Sequence, residues 1–202
     1  MSDREQILGR IRAALADVDR SAGRPLDHTA MPAAPRVRVD RDLVSVFAER
    51  VEDYRATVTR CAAADLDAAL AAALPAGVRV VVPPGLSVEV AGAVVDAGLP
   101  AAELDTVDAV VTEAAVAIAE TGTIVLDHGS GQGRRALSLV PDHHICLVRL
   151  DQIVADVPDA IALLDPSRPL TWISGPSATS DIELERVEGV HGPRRLHILI
   201  VG

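Results

Sequence analysis

Aromatic side chains are almost missing from this chain: one Phe, one Tyr and one Trp in 202 residues. A platform that stacks unpaired bases needs several aromatic faces, so single-stranded nucleic acid is a poor partner. The net charge of −10 repels phosphate backbones and removes nucleic acid generally as a partner class. Lysine is absent altogether, and the 19 basic residues counted apart from histidine are all arginine. Schiff-base chemistry on a lysine is thereby excluded. The two cysteines, Cys61 and Cys146, lie far apart and in no CxxC pattern. That predicts a reducing compartment and no disulfide framework. Two thiols also fall short of the usual four that hold an iron–sulfur cluster. No apolar run approaches ~18 residues, so no membrane-spanning helix is expected. The charged, amphipathic start MSDREQILGRIRAAL is unlike a secretory signal. Together these features predict a cytoplasmic protein.

What is present is aliphatic. Hydrophobic residues make up 49% of the chain, so the core must be Val, Leu, Ile and Ala, as in Val-rich parallel sheets. Ile7, Leu8, Ile11, Ala14 and Leu15 form one stripe and predict a helix over 3–18. Gly23, Pro25, Pro32 and Pro35 mark a linker over 20–38. Residues 1–38 thus read as an appendage and 39–202 as one α/β domain. The linker is long enough for the helix to pack on its own domain or on a second copy, which keeps a homo-oligomer open. Helices are expected over 41–56, 65–74, 87–97 (capped by Gly98) and 157–164. Strands are expected over 57–61, 78–82, 107–111, 115–119, 123–127, 135–140, 144–149, 170–174 and 196–202. Helices alternate with strands early and strands pair in the middle. The pattern reads as a three-layer α/β/α sandwich around a mixed, mostly parallel sheet.

Three stretches carry chemistry. In Glu120-Thr121-Gly122-Thr123, hydroxyls and backbone N–H groups at a turn can hold an anion, with Glu120 a candidate base. A plain tight turn, with Gly122 at positive φ and the threonines capping it, is the competing reading. In His128-Gly-Ser-Gly-Gln-Gly-Arg-Arg135 the glycines are spaced GxGxG rather than GxGxxG, and RRALSLVP alternates like a strand. A dinucleotide site would need a helix there, so a hairpin connection is favoured. His128 and the forked donors of Arg134 and Arg135 remain candidate contacts for a carboxylate or phosphate. In SGPSATSDIE (174–183), Gly175, Ser177, Thr179 and Asp181 are candidate anion contacts at a helix N-terminus or in a capping loop. His191, in GVHGP, is a candidate proton donor or ligand contact. His143 and His144 point to opposite faces of a strand and cannot share one metal. A site joining His128, His191 and His197 has no metal-ligand spacing behind it, so no metal is expected.

Taken together, AETGTIVLDHGSGQGRR (119–135), VPDHHICLVRLDQIV (140–154) and SGPSATSDIELERVEGVHGP (174–193) resemble the lactate utilization protein C (LutC/YkgG) family of LUD-domain proteins. The resemblance covers the C-terminal half. It implies a fold similar to the NagB/RpiA/CoA-transferase-like sandwich. It also implies a part in oxidising L-lactate to pyruvate, in a complex with two iron–sulfur partner subunits (LutA-like and LutB-like). In that picture this chain carries no cofactor itself and binds, at most, a small carboxylate or phosphate. The family supplies no catalytic residues to carry over, so Glu120 and His191 rest on local chemistry. Two other functions fit the fold: a free-standing phosphosugar-isomerase-like or CoA-transferase-like enzyme, or a structural and regulatory subunit.

Overall fold

The computed structural model describes residues 3–14, 16, 42–179, 187–189 and 191–202. Contacts divide the chain into two units, residues 1–36 and 37–202. The first holds α1 (Asp3–Ala14), within the 3–18 expected, with Ile7 and Ile11 exposed. The predicted linker over 20–38 lies outside the described residues.

The second unit opens with α2 (Leu43–Asp53). Asp42 caps it by accepting the N–H groups of Val44 and Ser45, and Phe47 and Val51 turn inward. Then come β1 (Thr57–Cys61), α3 (Leu66–Ala73), β2 (Val80–Val82), β3 (Val94–Val95), α4 (Ala101–Leu104) and β4 (Ala109–Glu113). Next are β5 (Val116–Ile118), β6 (Thr123–Leu126), β7 (His143–Arg149), β8 (Ile153–Val154) and α5 (Val157–Leu163). The chain closes with β9 (Thr171–Ile173), β10 (Ala178–Thr179), β11 (Val187–Glu188) and β12 (Arg195–Val201).

The class is α/β, but parallel and antiparallel pairing are segregated. Six strands in the order β1-β12-β7-β4-β2-β3 form one parallel sheet. A smaller sheet, β8-β5-β6-β9, pairs β5 with β8 in parallel and β6 antiparallel to both β5 and β9. Between the sheets, Phe47 and Val51 of α2 pack with Ile124 and Leu126 of β6 and with Cys146, Val148, Ile198 and Ile200 of the parallel sheet. Leu70 of α3 covers the other parallel face, against Val80, Val111, Ile145 and Leu199. Ala160 of α5 covers the outer face of the small sheet, against Val116, Ile118 and Val125. Where both faces are covered, as in β2, β5 and β6, the strands read as nearly continuous apolar runs.

Three expectations are corrected. The stretch 87–97 is not a helix. Its four valines are β-branched, Gly92 has φ +73°, and Val94 and Val95 add a parallel strand beside β2. Asp96 then accepts the N–H groups of Gly98 and Leu99, so Gly98 belongs to an Asx turn and not to a helix end. The stretch 135–140 is not a strand but a 3-10 turn over Arg135–Ser138. Leu137 is buried among Val81, Leu104, Val107 and Val110, which fixes the turn. It follows that the glycine loop 129–133 is not a hairpin connection. It carries the chain from the small sheet back to the parallel one.

Candidate functional site

The sequence-predicted residues fall in three places. The Thr121-Gly122-Thr123 turn begins β6, at the opposite end of that strand from His128. Thr121 and Thr123 share a hydroxyl–hydroxyl bond of 2.8 Å, and Thr123 makes another of 2.8 Å to Ser174. Gly122 has φ +59°, and a Cβ there would stand 2.7 Å from the carbonyl carbon of Arg50. The turn thus seals β6 onto α2. Glu120 is exposed beside it, with its N–H bonded to the Ala155 carbonyl.

His128 and Arg134 border a basin of about 610 Å³ with Pro84, Gly85, Asp96 and Ser130. It lies at the carboxyl ends of the parallel strands. There β2 leads outward to β3 while β4 leads the other way toward β7, the switch point where open α/β sheets bind ligands. Arg134 is committed here. Its Nε reaches Asp96 at 2.7 Å, one Nη holds the same carboxylate at 3.1 Å, and that Nη also donates to the Leu99 carbonyl. The hydrogen bond from Arg134 is the largest influence holding the Asp96 carboxyl below its usual range. An anion entering the basin would meet that buried carboxylate.

The third place is a cleft of about 290 Å³ at the amino ends of β7 and β12. Its walls are Arg135, Thr171–Ser177, His144 and the loop 191–193. The size lies at the lower end of the range for small-molecule pockets. A wider recess of about 1020 Å³, bordered by Asp108, Asp142 and Arg195, opens beside it and shares Arg135 and His191. Arg135 donates to the Thr171 hydroxyl at 3.1 Å and has no carboxylate partner among the described residues. His144 ties its Nε2 to Thr112 Oγ1 at 2.8 Å. Burial, then the nearby His143, depresses its pKa to about 4, so it is neutral at pH 7. Ser177 accepts the His191 N–H at 3.1 Å and donates its own N–H to the Pro193 carbonyl, so loop 191–193 is stitched to the loop after β9. Gly175, also in the wall, has φ +83° and no room for a Cβ against Tyr54. Thr179 lies on β10, beyond these walls. Asp181, and with it the predicted cap over 180–183, lies outside the described residues.

The cleft therefore unites His191, Ser177 and Gly175 with Arg135, Thr171 and His144. It omits Glu120, Thr121–Thr123 and Arg134. The adjacent arginines were a visible signal for Arg135; Thr171 and His144 carried none, because a strand residue's neighbours across a sheet do not show in sequence. The histidines considered for a metal are engaged separately. His128 bonds the Gly133 carbonyl and Thr171, His197 bonds Thr59, and His191 sits in the cleft. Among the described residues no three His, Cys, Asp or Glu side chains are grouped to hold a metal ion.

The LUD-domain family model matches residues 101–201. The chain belongs to the LUD-domain family. The matched segment carries every wall of the cleft. The "lactate utilization protein C" of Deinococcus radiodurans is 52% identical over 170 residues, 80% of each chain. The "lactate utilization protein C" of Halalkalibacterium halodurans is 37% identical over 100 residues, covering 45% of this chain and 43% of that protein. The LUD fold is matched by the crystal structure of a DUF162 family protein from Deinococcus radiodurans. There the TM-score is 0.68 and the identity 45%, over 79% of this chain and 96% of that one. Among the described residues of this LUD protein, no helix is long and apolar enough to cross a membrane.

Proposed function

We propose that this LUD protein is the cluster-free subunit of an iron–sulfur-dependent L-lactate utilization system, and that the Arg135 cleft binds the small carboxylate. The family membership and the relatives named for lactate utilization support the pathway. One observation carries the site: Arg135 borders a small cleft with a hydroxyl as its partner and no carboxylate among the described residues. A guanidinium so placed can give two parallel N–H donors to a ligand carboxylate. The Ser177 hydroxyl and the His191 ring border the same space and suit a 2-hydroxyl group, with His191 able to take or return its proton. Moving two electrons off a 2-hydroxy acid requires an acceptor. Two distant cysteines do not make the usual four-thiolate ligand set, so the clusters are assigned to partner subunits.

Trp172, the single tryptophan, borders the cleft and reports on it. Titration with L-lactate or pyruvate should change its fluorescence, and Arg135→Ala should weaken binding about tenfold or more, as loss of a charged hydrogen bond implies. Unchanged affinity in that variant would remove Arg135 from the site. Anaerobic capture of the tagged protein from its host grown on L-lactate tests the assembly. Cysteine-rich partners with a broad visible absorption are expected, and a colourless, partner-free protein would overturn the subunit role.

A further inference from the structure

His128 touches the glycine-loop basin, yet both of its ring nitrogens are already spent. Nδ1 lies 2.7 Å from the Gly133 carbonyl and Nε2 lies 2.9 Å from Thr171 Oγ1. A carbonyl only accepts, so Nδ1 carries a hydrogen. In the neutral ring Nε2 is then an acceptor and the Thr171 hydroxyl donates to it. That leaves the Thr171 oxygen lone pairs for the Arg135 N–H at 3.1 Å. Every bond runs one way: Arg135 to Thr171, Thr171 to His128, His128 to the Gly133 carbonyl. Thr171 is buried, so its hydroxyl has little water to turn to. The backbone at His128 has φ +59°, a region costly for most residues other than glycine. The loop thus holds this ring in place at a cost, as functional positions commonly do.

We propose that His128 is a positioning residue: through the Thr171 hydroxyl it sets the aim of the Arg135 guanidinium, so carboxylate binding in the cleft is linked to the protonation of a ring outside it. The link rests on the Arg135 reading above. When His128 gains a proton, Nε2 becomes a donor and Thr171 must accept from both sides. Its own hydrogen is then released, and a second positive charge stands behind Arg135. The charged groups nearby are held in place. Asp127 is held by Arg168 at 2.9 Å, Arg134 is held by Asp96, and Arg135 lies across Thr171. With that second positive charge behind Arg135, the cleft binds a carboxylate more tightly, and the coupling between the two sites is reciprocal.

The first test needs no ligand. Nitrogen-15 spectra of histidine-labelled full-length protein should show His128 as the Nδ1–H tautomer, and Thr171→Val should shift its Nε2 signal. The Nε2–H tautomer overturns the proposal. The second test uses L-lactate as probe. His128→Asn keeps a residue tolerant of positive φ and an amide that can reach the Gly133 carbonyl, but it cannot bridge to Thr171. It should weaken L-lactate binding several-fold and flatten the pH dependence of Kd. In an Arg135→Lys background it should change little, because the two act as one unit. Additive losses, or a pH profile of Kd unchanged in His128→Asn while wild type binds through Arg135, sink the link alone. No L-lactate binding by the wild type sinks the Arg135 reading and the link with it.

Discussion

Two histidines side by side in the sequence meet different surroundings in the fold. His143 opens β7 on the α3 face of the parallel sheet, stacked on His197 with ring centroids 6.4 Å apart and with its Nδ1 buried and unpartnered. His144 is turned the other way, onto Thr112. Burial depresses the pKa of each to about 4, helped at His143 by Arg195 and His197 and at His144 by His143. Between the ordinary histidine value of about 6.5 and that depressed value, the unfolded chain binds protons that the folded chain refuses. Stability from these residues is therefore complete above about pH 6.5 and is lost as pH falls toward 4. Each site contributes a slope of up to about 1.4 kcal/mol per pH unit inside that window. His143→Gln should make the acid fall shallower, as urea unfolding at several pH values between 7 and 4.5 would show. An unchanged slope means the ring is protonated in the folded state. The opposite facing of the pair was legible, since strand alternation dictates it. The fate of the adjacent arginines was not. Asp96, which claims Arg134 and leaves Arg135 for the cleft, sits 38 positions away in the chain.

At the level of elements, the Thr121-Gly122-Thr123 turn shows how one feature carries two readings. Hydroxyls at a turn suit an anion, but here they satisfy one another and Ser174. Gly122 combines φ +59° with the backbone of Arg50 where a Cβ would go. Gly122→Ala should therefore destabilise the fold by about 1–3 kcal/mol through strain and displacement of α2. The turn meets the cleft wall only through the Thr123–Ser174 bond, so any L-lactate affinity of the wild type should hold at low temperature. A loss of affinity equal to that of Arg135→Ala, with stability unchanged, would restore the turn to the binding site. Long periodic stretches were the legible ones: α2, β7 and β12 lie within a few residues of their expected ranges. The stretch 135–140 misled through its strand-like alternation, and 87–97 through Gly98, which suits a helix end. Their conformations are set by remote contacts, β2 beside Val94 and the Val81–Val110 cluster around Leu137.

At the scale of the whole molecule, the α/β class was legible from alternating elements, whereas the division into two sheets was not. Little local distinguishes β5 and β6, which leave the parallel sheet, from β4 and β7, which stay in it; each is centred on aliphatic residues. What separates them is α2, whose Phe47 fills the space between the layers. That core bears on the appendage. Among the described residues, the four buried clusters draw only on positions from 43 onward, and the family match lies within 101–201. A chain beginning at residue 37 should therefore unfold cooperatively, with a thermal midpoint within a few degrees of the full protein, about the shift that 1 kcal/mol causes at this size. It should also keep its Trp172 response to L-lactate, since the cleft walls are all retained. Broad or early unfolding would make the first 36 residues part of the folding unit. If the truncated chain keeps fold and ligand but no longer captures cysteine-rich partners, α1 is the element that joins this subunit to its system.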